Sequence, residues 1–294
     1  MSVNLSSLYA QQFATTVQLL LQQKGSKLRP YVMEGSHVGK QASPVDQIGK
    51  VEAQLVTTRF GQMGRVDAAV DRRWVFPSDY DLPQLIDSFD KLKMIVDPKS
   101  SYALNATYAF GRAIDNVLIS AFFGTNKTGE SAGTSTTFTA GNIVAVGFGA
   151  AASVGMTVAK LREGKRLLMG YEVDLDNDPI SCAINANLHD DLLSEAQIIS
   201  TDFNERPVLV DGRVTQFVGV NLVHCERLTN NGSSDRQAPM WAKSGFYLGV
   251  WQDMITDISQ RKDLQALPWQ IYAMASFGAT RLEENKCISI VCDD

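Results

Sequence analysis

Asp97 stands directly before Pro98, a carboxylate N-cap with proline at the first helical position, where its missing N–H costs nothing. From Ser100 to Phe123 apolar residues then recur at helical spacing. Ala103, Ala106, Phe110, Ala113, Val117 and Ala121 form one stripe, Leu104, Tyr108, Ile114, Leu118 and Phe122 lie beside it, and Gly124 ends the run. At about 1.5 Å per residue the helix is roughly 36 Å long. That length makes it the expected spine of a domain, and the rest of the chain has to be arranged around it.

The segments before this spine are short of apolar cover. Residues 1–23 hold no charged side chain, yet Leu5, Leu8, Tyr9, Phe13, Val17, Leu20 and Leu21 recur at helical spacing against a face of Ser, Thr and Gln. A solvated helix usually carries Lys and Glu there, so this pattern suits an arm that docks on a neighbouring copy as well as an ordinary terminal helix. Lys24, Gly25, Lys27 and Arg29 follow as a basic helix end with a glycine stop. Residues 30–50, broken by Pro30, Gly35, Gly39, Pro44 and Gly49, read as a loop or extended arm. Residues 51–76 alternate loosely through Val51, Ala53, Leu55 and Thr57, pass Gly61 and Gly64, and return through Val66 to Phe76. This is the pattern of a long two-stranded hairpin with a glycine-rich tip, too thinly apolar to stand alone in water. Its arginines, Arg59, Arg65, Arg72 and Arg73, outnumber Asp67 and Asp71, and the next segment carries Asp79, Asp81, Asp87 and Asp90 against Lys91. A basic projection beside an acidic strip is self-complementary between copies, although scattered surface charge would look the same.

Beyond the spine the elements mix without a β-α-β rhythm. Thr125 to Ala140 is a Gly/Ser/Thr-rich loop, Asn142 to Val146 a strand, and Thr157 caps a helix through Leu168. Ile180 to Ala186 alternates as a strand, Asn187 caps a helix, and Val208 to Val210 and Val214 to Val223 form strands around Asp211-Gly212. After a polar loop from Asn230 to Gln237 come strands at Phe246–Trp251, Met254–Ile258, Gln270–Ala275 and Cys287–Cys292. The fold class is therefore α+β. With 45% hydrophobic and 20% charged residues the chain can bury a true core. A net charge of −5 argues against sequence-independent nucleic-acid binding, which needs a cationic excess. Cys182, Cys225, Cys287 and Cys292 form no C-x-x-C pair, so reduced thiols made in a cytoplasm are expected and zinc is not. No secretory leader is legible, and the uncharged stretch from Ile143 to Ala159, about 17 residues, is too short and too rich in Ala, Gly and Ser for a membrane span.

Three patterns mimic chemistry. Gly147, Gly149 and Ala152 fit G-x-G-x-x-A before a helix, with Glu172 downstream, which would seat a dinucleotide pyrophosphate. Asp174, Asp176 and Asp178 resemble the start of a calcium loop, but Pro179 and Asn185 stand where that loop needs Gly and Glu. His189 with Asp190 and Asp191, and His224 beside Cys225, place titratable groups together without a nucleophile–base arrangement. No catalytic residue, cofactor or metal site is expected, and a flexible loop, a solvated turn and a helix start account for these patterns.

The order of parts resembles the major capsid proteins of tailed phages, the Hong Kong 97-type fold. Two runs carry the likeness: RRWVFPSDYDLPQLIDSFDKLKMIVDPKSSYALNATYAFGRAID from Arg72 and QIYAMASFGATRLEENKCISIVCDD from Gln270. The resemblance implies an N-terminal arm over 1–50, an extended hairpin loop over 51–80, and a peripheral domain over 81–142 with its spine helix at 98–123. It further implies an axial domain over 143–245 and return strands over 246–294. It implies a non-enzymatic subunit whose copies form hexamers and pentamers and close an icosahedral head around double-stranded DNA without reading its sequence. The resemblance places the chain in the virion, assembled in the host cytoplasm, with a separate scaffolding protein and a portal as partners and no membrane. Tyr9, Phe13, Arg59, Arg65, Arg72, Arg73, Trp74, Asp79 and Asp81 are the residues expected at contacts between copies. Some family members crosslink through a loop Lys; residues 51–90 contain none, so that crosslink is not expected here. An encapsulin-like compartment shell shares the fold and is the alternative, with a nucleotide-dependent oxidoreductase using the Gly147 loop a more distant one.

Overall fold

A computed structural model describes residues 22–39, 42–59, 61, 64–86, 99–150, 152–195, 214–231, 235–265 and 267–294. In chain order these form β1 (Met33–Ser36), β2 (Ser43–Ile48), β3 (Val70–Val75), β4 (Ser78–Ile86) and the spine helix α1 (Lys99–Phe123). They continue with β5 (Asn126–Thr128), β6 (Thr134–Thr136), β7 (Ile143–Val144), α2 (Val158–Gly170), β8 (Ile180–Ile184) and α3 (Ala186–Ser194). The last are β9 (Gln216–Phe217), β10 (Val220–His224), β11 (Arg236–Ala242), β12 (Phe246–Gln260), β13 (Trp269–Arg281) and β14 (Cys287–Cys292). The expected N-terminal helix, its contact residues Tyr9 and Phe13, the Asp97-Pro98 cap, Asp87, Asp90, and the strand at 208–210 with its Asp211-Gly212 turn lie outside the described residues.

The spine helix forms where the periodicity predicts it. Its buried face runs through Ala106, Phe110, Ile114, Leu118 and Phe122. That face takes Ile114, Leu118 and Phe122 from the second predicted row, while Ala113, Val117 and Ala121 are only half-buried. Larger side chains won the core position because burial gain scales with apolar area, at about 25 cal/mol per Å². The helix lies on a sheet ordered β1-β12-β13-β4. Here β12 and β13 form a long antiparallel ribbon from Phe246↔Arg281 to Gln260↔Trp269, with register shifts between Val250 and Ile255. Those shifts join the two predicted strands Phe246–Trp251 and Met254–Ile258 into one.

A second sheet, ordered β7-β14-β11-β8-β10-β9, carries α2 on one side through β14 and β7. Every residue of β8 and of β14 is buried, as expected of strands covered on both faces. Phe122, Trp241 and Phe246 pack edge to face with centroids 5.5 to 6.1 Å apart, joining the spine, β11 and β12 in a single core. Thr157 caps α2 as predicted, its side chain accepting from Lys160 N. The cap of α3 is Asn185, whose side chain accepts from Leu188 N, and not the predicted Asn187. Backbone conformation decides between the two: Asn185 has the extended backbone a cap needs, so the helix starts earlier.

Of a third sheet, β2-β3-β5-β6, only β3 falls on a segment expected as strand, the return limb of the hairpin. Its β5–β6 hairpin occupies part of the stretch predicted as a Gly/Ser/Thr loop. The segment after β3, read only as an acidic strip, is the edge strand β4, antiparallel to β13.

Candidate assembly surface

Of the hairpin expected over 51–76 only the return limb forms a strand, β3, and its partner is β2 at 43–48, in the stretch read as a loop or extended arm, and not 51–57. Strands β2 and β3 pair antiparallel from Ser43↔Val75 to Ile48↔Val70, and Gly49 N extends the ladder to Ala69 O. Beyond that the described residues between 50 and 69 form no ladder. They display Val51, Leu55, Val56 and Val66, with Leu55 and Val56 more than four-fifths exposed. Residues this apolar gain nothing in water and would gain on the order of 1.5 kcal/mol or more each if covered.

The foot of this projection is anchored firmly. Trp74 Nε1 donates to Gly129 O at 2.7 Å, fastening β3 to the turn after β5. Arg73 Nη1 reaches Glu284 Oε1 at 3.2 Å, and Glu284 Oε2 takes Arg281 Nε at 2.8 Å. Arg281 is wholly buried, donates to the carbonyls of Ala121, Phe122 and Gly124, and lies 5.2 Å over the Phe138 ring. One arginine thus satisfies the orphan carbonyls at the spine's C-terminal end, where a cation is favoured. Gly278 lets β13 approach: a Cβ there would sit 2.1 Å from Phe76 O.

The expected contact residues divide accordingly. Arg59 and Arg65 sit on the exposed projection, Arg65 pairing with Asp67 at 2.7 Å on the surface. Arg72 pairs with Asp46 across β2 and β3 at 2.6 Å. Arg73 faces inward and Trp74 is half-buried, so both hold the foot of the projection within one chain. Arg73 alternates with Arg72 on a strand, and neighbouring strand residues point to opposite faces, so one of the two had to turn in. Asp79 and Asp81 are exposed on β4. They border a cavity of about 410 Å³ lined also by Gln252, Tyr272, Met274 and Ser276. Ile255, Ile258 and Leu85 are exposed on the same sheet.

Where the arm meets the spine, Asp115 is completely buried and accepts from Gln23 Nε2, Ser26 Oγ, Lys27 N and Leu28 N. No periodicity flags a carboxylate inside a helix as a backbone receptor, so Asp115 carries no signal in the sequence. Gly111, one turn earlier, allows the crossing, since a Cβ would lie 2.3 Å from Gly25 C.

The three patterns that mimic chemistry have the following surroundings. The Gly147–Gly149 turn does not lead directly into α2, which starts at Val158 with the Thr157 side chain accepting from Lys160 N. Asp174 accepts from Asp176 N, Asn177 N and Asn177 Nδ2, a self-satisfied turn. Asp178 holds Ser244. His189 Nε2 accepts from Val214 N and Asp191 from Met156 N, tying loops together. His224 Nε2 lies 2.7 Å from Glu226 Oε1. Among the described residues no cluster of His, Cys, Asp and Glu could hold a metal, and no helix is long and apolar enough to cross a membrane. All four cysteines are free and buried, and burial pushes the Cys225 thiol up to about 11 and the Cys292 thiol up to about 12.

A family model described as phage capsid protein matches residues 5–294. Among solved structures, the chain is similar to the capsid of Cyanophage P-SCSP1u, with a TM-score of 0.76 at 14% identity, covering 99% of this chain and 95% of that one. It is also similar to the Cyanophage Pam1 capsid, with a TM-score of 0.73 at 12% identity over 99% and 98% of the two chains. The capsid of Ralstonia phage GP4 gives a TM-score of 0.72 at 10% identity over 97% and 95%. At these identities the likeness is one of fold. No curated protein matches.

Proposed function

Because this chain belongs to the phage capsid protein family, we propose that its copies join through two complementary surfaces, the exposed projection between β2 and β3 and the acidic face of β4 on a neighbour. The chain is a major capsid protein, a structural component of the virion. The observation that carries this mode of joining is the uncovered apolar content of the projection, Leu55 and Val56 above all. Stable interfaces bury on the order of 1,000 Å² or more, and covering such residues supplies the non-directional part of that contact. Arg59 and Arg65 against Asp79 and Asp81 then set register, since charge fixes orientation more than affinity.

On this reading the subunits form hexamers and pentamers and enclose double-stranded DNA, with residues 51–80 as the extended loop, 143–245 as the axial domain and 81–142 with 246–294 as the peripheral domain. Tyr9 and Phe13 of the arm over 1–50 would add to the same contacts. A separate scaffolding protein and a portal complete the assembly in the host cytoplasm.

Reversal of Arg72 and Arg73 is the test that the sequence suggests, with a soluble, shell-less subunit as its outcome. Burial of Arg73 against Glu284 makes that substitution damage the fold itself, because it brings two carboxylates together. The test therefore moves outward, to Arg59→Glu with Arg65→Glu. The expected result is a folded subunit that sediments slowly and shows no shells by negative-stain imaging. Normal particles from this variant would remove the projection from the interface.

A further inference from the structure

Most of the described arginines are matched to a carboxylate: Arg29 to Glu34, Arg65 to Asp67, Arg72 to Asp46, Arg73 and Arg281 to Glu284, Arg166 to Glu163, Arg236 to Asp294 and Arg261 to Asp263. Two partly buried ones are not. Arg112 on the spine donates through Nη1 to Gln22 Oε1 at 2.7 Å and to Gln23 O at 3.4 Å. Arg227, just past β10, donates through Nη1 to Asn116 Oδ1 at 2.9 Å. Both guanidinium groups are braced by neutral amide oxygens, which fix their positions without cancelling their charge. With Lys27 from the arm they line one cavity of about 850 Å³, so three separate elements bring a cation to the same place.

Two carboxylates lie nearby among the described residues, Asp115 and Glu226, so the three cations exceed the anions by one, and both carboxylates already accept hydrogen bonds from this chain. The oxygens of Asp115 are taken by four donors from Gln23, Ser26, Lys27 and Leu28 beneath the arm. Glu226, which also lines the cavity, directs Oε1 to Ala186 N and to His224 Nε2. Each arginine keeps its Nε–H and second amino group free of protein partners among the described residues. A guanidinium with that fork unused matches the oxygens of a phosphate in a bidentate way.

We propose that this cavity binds the phosphodiester backbone of the enclosed nucleic acid, through Lys27, Arg112 and Arg227. The inference rests on the reading of the chain as a shell around DNA and deepens it. It assigns sidedness: the face where the arm crosses the spine looks into the shell, and the binding depends on charge and not on base sequence. A site of this size refines the expectation from net charge. The chain as a whole repels DNA, while one local cluster receives it.

The test uses unassembled full-length subunits and a labelled 30-base-pair duplex, read by fluorescence anisotropy from 50 to 300 mM salt. Wild type is compared with a triple variant, Lys27→Gln, Arg112→Gln and Arg227→Gln, and with Arg112→Lys plus Arg227→Lys. The expected result is weak, salt-sensitive binding by wild type. The triple variant should bind at least about tenfold more weakly at 50 mM salt, and its dependence of log K on log salt should be shallower by about 0.9 for each phosphate it no longer neutralises. The lysine variant should keep the slope, which counts charges, and bind between wild type and the triple variant, since it loses the bidentate fork. Equal binding by wild type and triple variant, or no binding by wild type at 50 mM salt, overturns the site. Sedimentation of each variant under shell-forming conditions keeps the two readings apart. Shells from all variants, with DNA binding abolished in the triple alone, support the site. Absence of shells in the triple variant with DNA binding unchanged would assign the cluster to a carboxylate on a neighbouring copy and overturn the proposal. Failure of wild type itself to form shells would count against the function and not against the anion site.

Discussion

Arg281 and Glu284 meet at 2.8 Å, Nε to Oε2, with the arginine fully buried and its Nη1 on the last carbonyls of the spine helix. Because Glu284 also takes Arg73 at 3.2 Å, one carboxylate links the foot of the projection, the long ribbon and the spine. The foot of the projection is thereby tied to the core through one carboxylate.

Glu284→Gln should be the most destabilising single change at that junction. It leaves two buried guanidinium groups with no counter-charge, a situation that costs roughly 3–5 kcal/mol. For a chain of this size that corresponds to a fall in Tm of roughly 5–8 °C. Thermal unfolding of the isolated subunit measures it, and a shift under about 2 °C would mean that the arginines find other partners.

Close backbone approaches should be intolerant of a single methyl group. Gly111→Ala places a Cβ 2.3 Å from Gly25 C, and Gly278→Ala places one 2.1 Å from Phe76 O. Backbone cannot swing aside as a side chain can, so each should cost about 1–3 kcal/mol. Gly111→Ala should release residues 22–28 from the spine, seen as faster proteolysis there. Gly133→Ala, with nothing within 4 Å, is the control.

The imidazole of His37 lies 2.9 Å from Tyr247 Oη and 4.8 Å, centroid to centroid, from Trp251. Burial lowers its pKa below the ordinary 6.5. Between the lowered value and 6.5 the unfolded chain binds more protons than the folded one. The stabilisation is thus complete above the ordinary value and declines as pH drops through it. Melting midpoints from pH 7.5 to 5 should fall more for wild type than for His37→Gln; parallel curves would show that the ring stays equally protonated in both states.

The thiols should be silent in the native state. Cys182 and Cys287 are completely buried and pushed well above the usual thiol range, in the same direction as Cys225 and Cys292. A thiolate-selective reagent should modify none of the four at pH 8 within the time that modifies all of them in denaturant. Rapid modification of one without denaturant would reveal local opening around it.

How far the sequence could be read depended on whether a signal was local. The spine, the Thr157 cap, and strands such as Cys287–Cys292 are written in periodicity and in cap residues, which act within one or two turns of chain. The β5–β6 hairpin carries no such signal: its Asn, Lys, Ser and Thr residues become strand where β3 offers a hydrogen-bonding edge. Strand β4 does alternate, with Tyr80, Leu82 and Ile86 turned in and Asp79 and Asp81 out, an alternation masked in the sequence by its Asp and Pro residues. At the candidate surface, the surplus of arginine over acid was visible, but Arg59 and Arg73 looked alike.

By itself, then, the sequence determined the class of fold, the spine and the existence of segments unable to cover their own apolar residues. Only the tertiary structure decided which charges remain available to a partner. Arg73 is paired with Glu284, 211 residues further along, whereas Arg112 and Arg227 are held by neutral amides. Pairing of that kind depends on distance in space, which falls steeply in effect beyond a few ångströms and bears no relation to separation along the chain.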